Sequence, residues 1–222
     1  MKTLSRRDII LACGLSALAG YVDATGFLQL RGTFISFMSG NSTLLAVGLA
    51  RGDVVAISLL GSILVLFVVG LMLGTLVARR ASVRFHIPII PAVVSGLLLV
   101  AAVEFRINAA MAAVATMTLA MGTANATFQR DGEVVVGVTY MTGTLVKLGQ
   151  KLAAALSGGR KWEWAPYLWL WASLIAGGWA GARMFGILGL AAVNFAVGWS
   201  LVLTIYAVVR RRRPKNRIID MA

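Results

Sequence analysis

Two clusters of polar residues interrupt an otherwise apolar chain. The first holds a carboxylate, Asp23, and a hydroxyl, Thr25, within Gly20-Tyr21-Val22-Asp23-Ala24-Thr25-Gly26-Phe27, and is followed by Phe37-Met38-Ser39-Gly40-Asn41. The second comes about a hundred residues later: Asn125 and Thr127 within Gly122-Thr123-Ala124-Asn125-Ala126-Thr127-Phe128, then Tyr140-Met141-Thr142-Gly143-Thr144. Gly20, Asp23, Ala24 and Thr25 match Gly122, Asn125, Ala126 and Thr127 at one offset, and Phe37 to Gly40 match Tyr140 to Gly143 at an offset one larger. A carboxylate in hydrocarbon costs about 2.5–3.5 kcal/mol on the insertion scale, which makes Asp23 a candidate proton or cation site or a contact for a polar solute. The plainer alternative is a helix-bridging hydrogen bond, which Asn125 would keep while discarding the charge. Glycine-interrupted segments at corresponding places in two halves signal broken helices whose loosened backbone faces a cavity. Alternatively, Gly40 and Gly143 allow close helix crossing while nearby hydroxyls bond their own i−4 carbonyls.

The candidate solute or ion site therefore comprises Asp23, Thr25, Ser39, Gly40, Asn41, Asn125, Thr127, Thr142, Gly143 and Thr144. It would lie between segments one, two, five and six. Helical spacing puts Gly20, Asp23 and Phe27 on one face and Gly122, Asn125 and Gln129 on another, and those faces are expected to look at each other across a repeat axis. Other polar residues carry less. His86 is the single histidine and Cys13 the single cysteine, so neither a metal cluster nor an intrachain disulfide is expected. No nucleophile has a base and no glycine loop cradles phosphate, so no catalytic residue, cofactor or enzymatic activity is expected. Lys147 and Lys151 read as snorkelling side chains, and Glu104 with Arg106 as a solvated joint.

The segments that position these residues are apolar. The hydrophobic fraction is 59% and the charged fraction 13% over 222 residues, too greasy for one soluble core, and several runs can span roughly 30 Å of hydrocarbon. Segment one runs from Ile9 to Leu30. Segment two, Phe34 to Leu49, is roughly 24 Å long at helical rise. Segment three, Val54 to Val77, carries Gly70 and Gly74, and Asp53 is placed to cap it. Segment four opens at Pro88 and Pro91 and ends near Val103. Segments five to seven run Asn108–Phe128, Val134–Leu156 and Ala165–Phe185, the last with Gly177 and Gly181 where segment three has its glycine pair. Such small-xxx-small pairs let helix backbones approach closely. Gly186 and Gly189 lead into segment eight, ending near Val209.

The expected fold is thus an all-α polytopic membrane bundle of eight segments in two parallel four-helix repeats, residues 8–104 and 107–210, with a basic tail over 211–222. The net charge of +13 gathers at segment ends and termini, which argues against nucleic acid and for cytoplasmic termini in a bacterial inner membrane. Arg79, Arg80 and Arg84 dissent, since eight crossings put them outside; a re-entrant short segment, with six or seven crossings, would remove the conflict. Ser5-Arg6-Arg7 and Leu11-Ala12-Cys13 faintly imitate export signals, but the match of Gly20–Phe27 to an internal segment assigns the first helix to the mature fold. Trp162, Trp164, Tyr167, Trp169 and Trp171 suit a headgroup-level belt.

Gly20, Asp23, Ala24 and Phe27, followed by Phe37, Ser39, Gly40 and Asn41, resemble the signature of the YoaK-like family of uncharacterised bacterial integral membrane proteins. The resemblance covers nearly the whole chain and implies a helical membrane protein without supplying a reaction. The expected role is a small permease for a small polar solute or ion. The alternative is a non-transporting membrane regulator or partner subunit. Expected partners are the lipid bilayer, the solute and a second copy of the chain.

Overall fold

The computed structural model describes residues 5–81, 86–130, 133–134 and 136–212. Lys2, Arg84, Asp131, Gly132 and the tail from Arg213, with Lys215 and Arg217, lie outside the described residues, as does the His86 side chain. Eight α-helices follow one another: α1 Arg6–Gln29, α2 Met38–Arg51, α3 Val54–Arg80, α4 His86–Arg106, α5 Ala110–Ala124, α6 Met141–Leu156, α7 Ala165–Leu188 and α8 Val193–Arg212. A 3-10 turn, Asn125–Phe128, extends α5, and another, Gly189–Ala192, joins α7 to α8. A two-residue antiparallel pairing of Gln129–Arg130 with Glu133–Val134 is the other regular element among the described residues.

Local chemistry sets the ends. Ser5 and Asp8 form a capping box at the start of α1. Asp53 accepts the Ala56 N–H to open α3, and Gly52 at φ 66° closes α2 in the left-handed region. Four helical stretches are long and apolar enough to cross a membrane: Arg6–Gln29, Val54–Arg80, Ile87–Arg106 and the 46-residue stretch Ala165–Arg210, which contains α7 and α8. By contrast α2 has 14 residues and α6 has 16, short of the ~20 that a crossing needs; α5 has 15 and approaches that length only with its 3-10 extension to Phe128.

The polar glycine motifs do not break these short helices but begin them. Phe37 and Tyr140 are the N-cap residues of α2 and α6, with near-identical backbone (φ −84°, ψ 75° and φ −88°, ψ 71°). Each ring folds over the glycine three residues on: a Cβ on Gly40 would stand 2.4 Å from the Phe37 ring, and one on Gly143 would stand 2.0 Å from the Tyr140 ring. The expected mid-segment interruptions at Ser39–Gly40–Asn41 and Thr142–Gly143–Thr144 are therefore first turns. What precedes them is non-helical chain packed inside the protein, with Ile35 and Val138 wholly buried.

Two glycine seams hold the bundle. On one, α1 meets α7, where a Cβ on Gly20 would strike the Leu174 carbonyl at 2.1 Å, one on Gly177 the Ala17 carbonyl at 1.9 Å, and one on Gly181 the Tyr21 carbonyl at 2.5 Å. On the other, α3 meets α5 through Gly122 against Phe67, Gly70 against Leu119 and Gly74 against Thr123. Gly177 and Gly181 meet Ala17 and Tyr21, and Gly70 and Gly74 meet Leu119 and Thr123, each four residues apart in the same order, so each pair is parallel. The face of Gly20 thus packs on α7 and that of Gly122 on α3, rather than on each other as expected.

Contacts between the seams fix the remaining directions. The Asp8–Arg210 ion pair, the Trp199 indole on the Gly14 carbonyl and the Tyr21 hydroxyl on the Ala192 carbonyl make α8 antiparallel to α1. Ser95 meets Thr204 at 3.0 Å, and Phe105 shares a small cavity with Leu190 and Val193, so α4 also opposes α8. That same cavity joins Thr25, Gly26 and Gln29 near the end of α1 to Val114 and Met117 in the first half of α5. At the other end, Ser16 of α1 donates to the Val138 carbonyl beyond α5. Hence α1, α4 and α7 run one way and α3, α5 and α8 the other. The expectation of two parallel halves fails here: the first helices of the two halves are antiparallel. The reason is that α2 begins where α1 ends and finishes where α3 starts, both on one side of the bundle, and α6 does the same between α5 and α7 on the opposite side.

Candidate functional site

The chain leaving α1 turns back on itself. Arg31 and Gly32 adopt positive φ (53° and 119°), which reverses the chain so that residues 33–36 lie against α1. Asp23, six residues before the helix end or roughly 9 Å down it, receives them. Its Oδ1 accepts the Ile35 N–H at 2.9 Å and the Ser36 N–H at 2.6 Å, while Oδ2 accepts the Ser36 hydroxyl at 2.7 Å. Asn41, fully buried, secures the next residue back: its amide donates to the Phe34 carbonyl at 2.7 Å and accepts the Phe34 N–H at 3.1 Å. Buried backbone that no helix can satisfy is thereby paired by two side chains, as burial requires.

The second half repeats the clasp with weaker chemistry. Asn125 donates to the Met121 carbonyl at 3.0 Å and exchanges hydrogen bonds with the Thr139 hydroxyl at 3.0 and 3.2 Å, while the Thr139 N–H reaches its Oδ1 at 3.5 Å. Ser36 and Thr139 each stand one residue before the aromatic N-cap. They complete the clasps and are absent from the residues singled out in the sequence. Their signal was present, since they match at the same offset as Phe37 and Tyr140.

The other predicted residues fall into three kinds. Thr25, Thr127 and Thr144 are buried and donate to their own helix at the Val22, Ala124 and Tyr140 carbonyls. Gly40 and Gly143 lie beneath their aromatic caps. Ser39 and Thr142 are exposed, and Ser39 with Gly40 lines a cleft of about 570 Å³ walled by Phe27, Phe34 and Phe37. Those rings pack at centroid distances of 4.9 and 5.1 Å. Because α1 and α5 are antiparallel, the Asp23 and Asn125 clasps stand toward opposite ends of the bundle. The structure assembles each cluster around its own loop and does not join the two into one chamber. Lys151 leaves its expected snorkelling role to pair with Glu163 at 2.7 Å. Among the described residues no group of three or more His, Cys, Asp and Glu stands together.

Known proteins resemble the chain over nearly its full length. Residues 11–206 match the model of a family described as protein of unknown function, DUF1275. The UPF0700 transmembrane protein RA0705 of Rhizobium meliloti (strain 1021) is 34% identical over 220 residues, covering 96% of this chain and 91% of that protein. No solved structure matches. With its long apolar helices and this transmembrane relative, the chain is a multi-pass membrane protein and belongs to the DUF1275 family.

Proposed function

We propose that the protein is a small permease for a small polar solute or ion, built from two inverted half-units. Each unit comprises one crossing helix, a re-entrant loop with its short helix, and two further crossings, giving six crossings in all. The observation that carries this reading is the opposed direction of α1 and α5, each followed by a loop that folds back into the protein and is clasped by a polar side chain. Inverted repeats with non-helical backbone inside the bundle are the common architecture of secondary transporters. Charge supports the same arrangement. With six crossings Arg6, Arg7, Arg79, Arg80, Arg130, Arg160, Lys161 and Arg210 share one face, against Arg31, Arg51, Arg106 and Arg183 on the other among the described residues. By the positive-inside rule the basic face is cytoplasmic, and the conflict over Arg79 and Arg80 disappears.

In this reading the solute passes between the clasped loops, and proton or cation entry at Asp23 loosens the first clasp while Asn125 keeps the second fixed. Purified protein in liposomes is expected to carry a small solute or ion with a dependence on the proton gradient. Asp23→Asn, which keeps an acceptor for the loop, should abolish that dependence; unchanged gradient-driven flux in the mutant would refute the carboxylate's role. The saturation of Asp23 by donors from its own chain favours a second reading, a non-transporting regulator or partner subunit. Absence of flux and of solute binding across a broad panel, from correctly folded protein, would select it.

A further inference from the structure

The seam between α1 and α7 is tight, but α8 leaves α7 at their connecting turn and diverges. Between them, floored by α1, runs an apolar groove. The part toward the turn holds about 590 Å³ and is lined by Ala17, Tyr21, Ala176, Ala180, Gly198 and Trp199 among others. A second part of about 410 Å³ continues past Trp199 toward Cys13 and Tyr206. The Trp199 indole, bonded to the Gly14 carbonyl at 3.0 Å, reaches across the floor between the two parts. Three observations identify what the groove toward the turn accepts. Its length along α7, from Ala176 to Met184, is roughly 12 Å, close to the ~15 Å hydrocarbon depth of one leaflet. Gly198 lines it, and a Cβ there would meet nothing within 4 Å, so the groove is open along the α8 wall. Finally, Arg183 continues the α7 stripe of Ala176 and Ala180, seven and three residues on. It lies roughly 8 Å short of the helix end, exposed and without a carboxylate partner among the described residues.

We propose that this groove is a binding site for one acyl chain of an anionic phospholipid, with the Arg183 guanidinium on its phosphate. Arg183 supplies the charge complementarity, bidentate toward phosphate oxygens, and the slot supplies an apolar channel one leaflet deep. The groove holds its lipid whether or not the protein transports, so a failed flux assay leaves it standing.

Native mass spectrometry of the full chain, titrated separately with phosphatidylglycerol and phosphatidylcholine, tests the site. Wild type should retain one lipid with preference for phosphatidylglycerol. Arg183→Gln should weaken phosphatidylglycerol retention about fivefold, as expected for one basic residue at an anionic surface, and leave phosphatidylcholine unchanged. Gly198→Leu narrows the slot from a position where a Cβ meets nothing within 4 Å and should release both lipids while helix content and elution volume stay those of wild type. Equal lipid retention in Gly198→Leu and wild type would overturn the proposal, as would the absence of a retained lipid in wild type. A Gly198→Leu protein that loses dimers rather than lipid would also overturn it, assigning the groove to a second copy.

Discussion

Asp23 illustrates how a costly residue can be explained twice. Its carboxylate accepts three hydrogen bonds from Ile35 and Ser36, so the expense of placing it in the bundle is offset by donors that would otherwise be stranded. Asp23→Ala leaves two buried N–H groups and a hydroxyl without partners, each costing about 1–3 kcal/mol. The expected net loss is about 3 kcal/mol, read as a fall in the denaturation midpoint in detergent. Asp23→Asn retains an acceptor, as Asn125 does in the second half, and should lose about 1 kcal/mol. Equal destabilisation by the two substitutions would show that the clasp is not what the carboxylate supports. The alternative read from the repeat was a hydrogen bond bridging helices, whereas both side chains bond to the loop that follows their own helix. The donors could not be assigned before the fold was known, because the loop reaches Asp23 only after Arg31 and Gly32 reverse the chain.

At the level of elements, glycines separate into those that permit a contact and those that do not. Gly177→Ala would set a methyl 1.9 Å from the Ala17 carbonyl, where backbone on both sides leaves no retreat. A loss of about 3 kcal/mol follows from the forced separation of α1 and α7. Gly61, inside α3, faces open space, so Gly61→Ala should stabilise by about 0.5–1 kcal/mol through helix propensity alone. Thermal unfolding of the two variants checks both signs; a tolerated Gly177→Ala would mean that the seam is looser than described. The glycine pairs were legible as packing devices from their spacing. Their partners were not, since spacing says that a backbone comes near without saying which one. Whether the short segments cross stayed open in the sequence for a related reason. An apolar run such as Phe34–Leu49 looks like a crossing by composition, whereas its aromatic N-cap makes the helix start late.

For the whole molecule, the decisive quantity is helix direction. In a Cys13→Ser background, cysteines at Arg31 and Ala50 stand before α2 and in its last turn. Both should react with a membrane-impermeant thiol reagent from the same side of sealed vesicles, while a cysteine at Arg80 should react only from the other. Labelling of the Arg31 and Ala50 positions from opposite sides would make α2 a crossing and overturn the six-crossing arrangement. The result bears on the permease reading directly, because inverted units need α2 and α6 to enter from opposite faces.

Composition, apolar run length and the placement of basic residues determined by themselves that the chain is a helical membrane protein. These follow from the energetics of burying side chains in hydrocarbon, which act on each segment independently. The doubled polar motif was equally visible, because the residue types recur in order. What the tertiary structure decided was orientation. Whether a short segment crosses or returns depends on a few hydrogen bonds and glycine contacts between residues far apart in sequence, such as Ser16 with Val138 and Gly177 with Ala17. The apolar pattern is identical for a helix pointing up and one pointing down, so only packing between helices could turn the halves against each other.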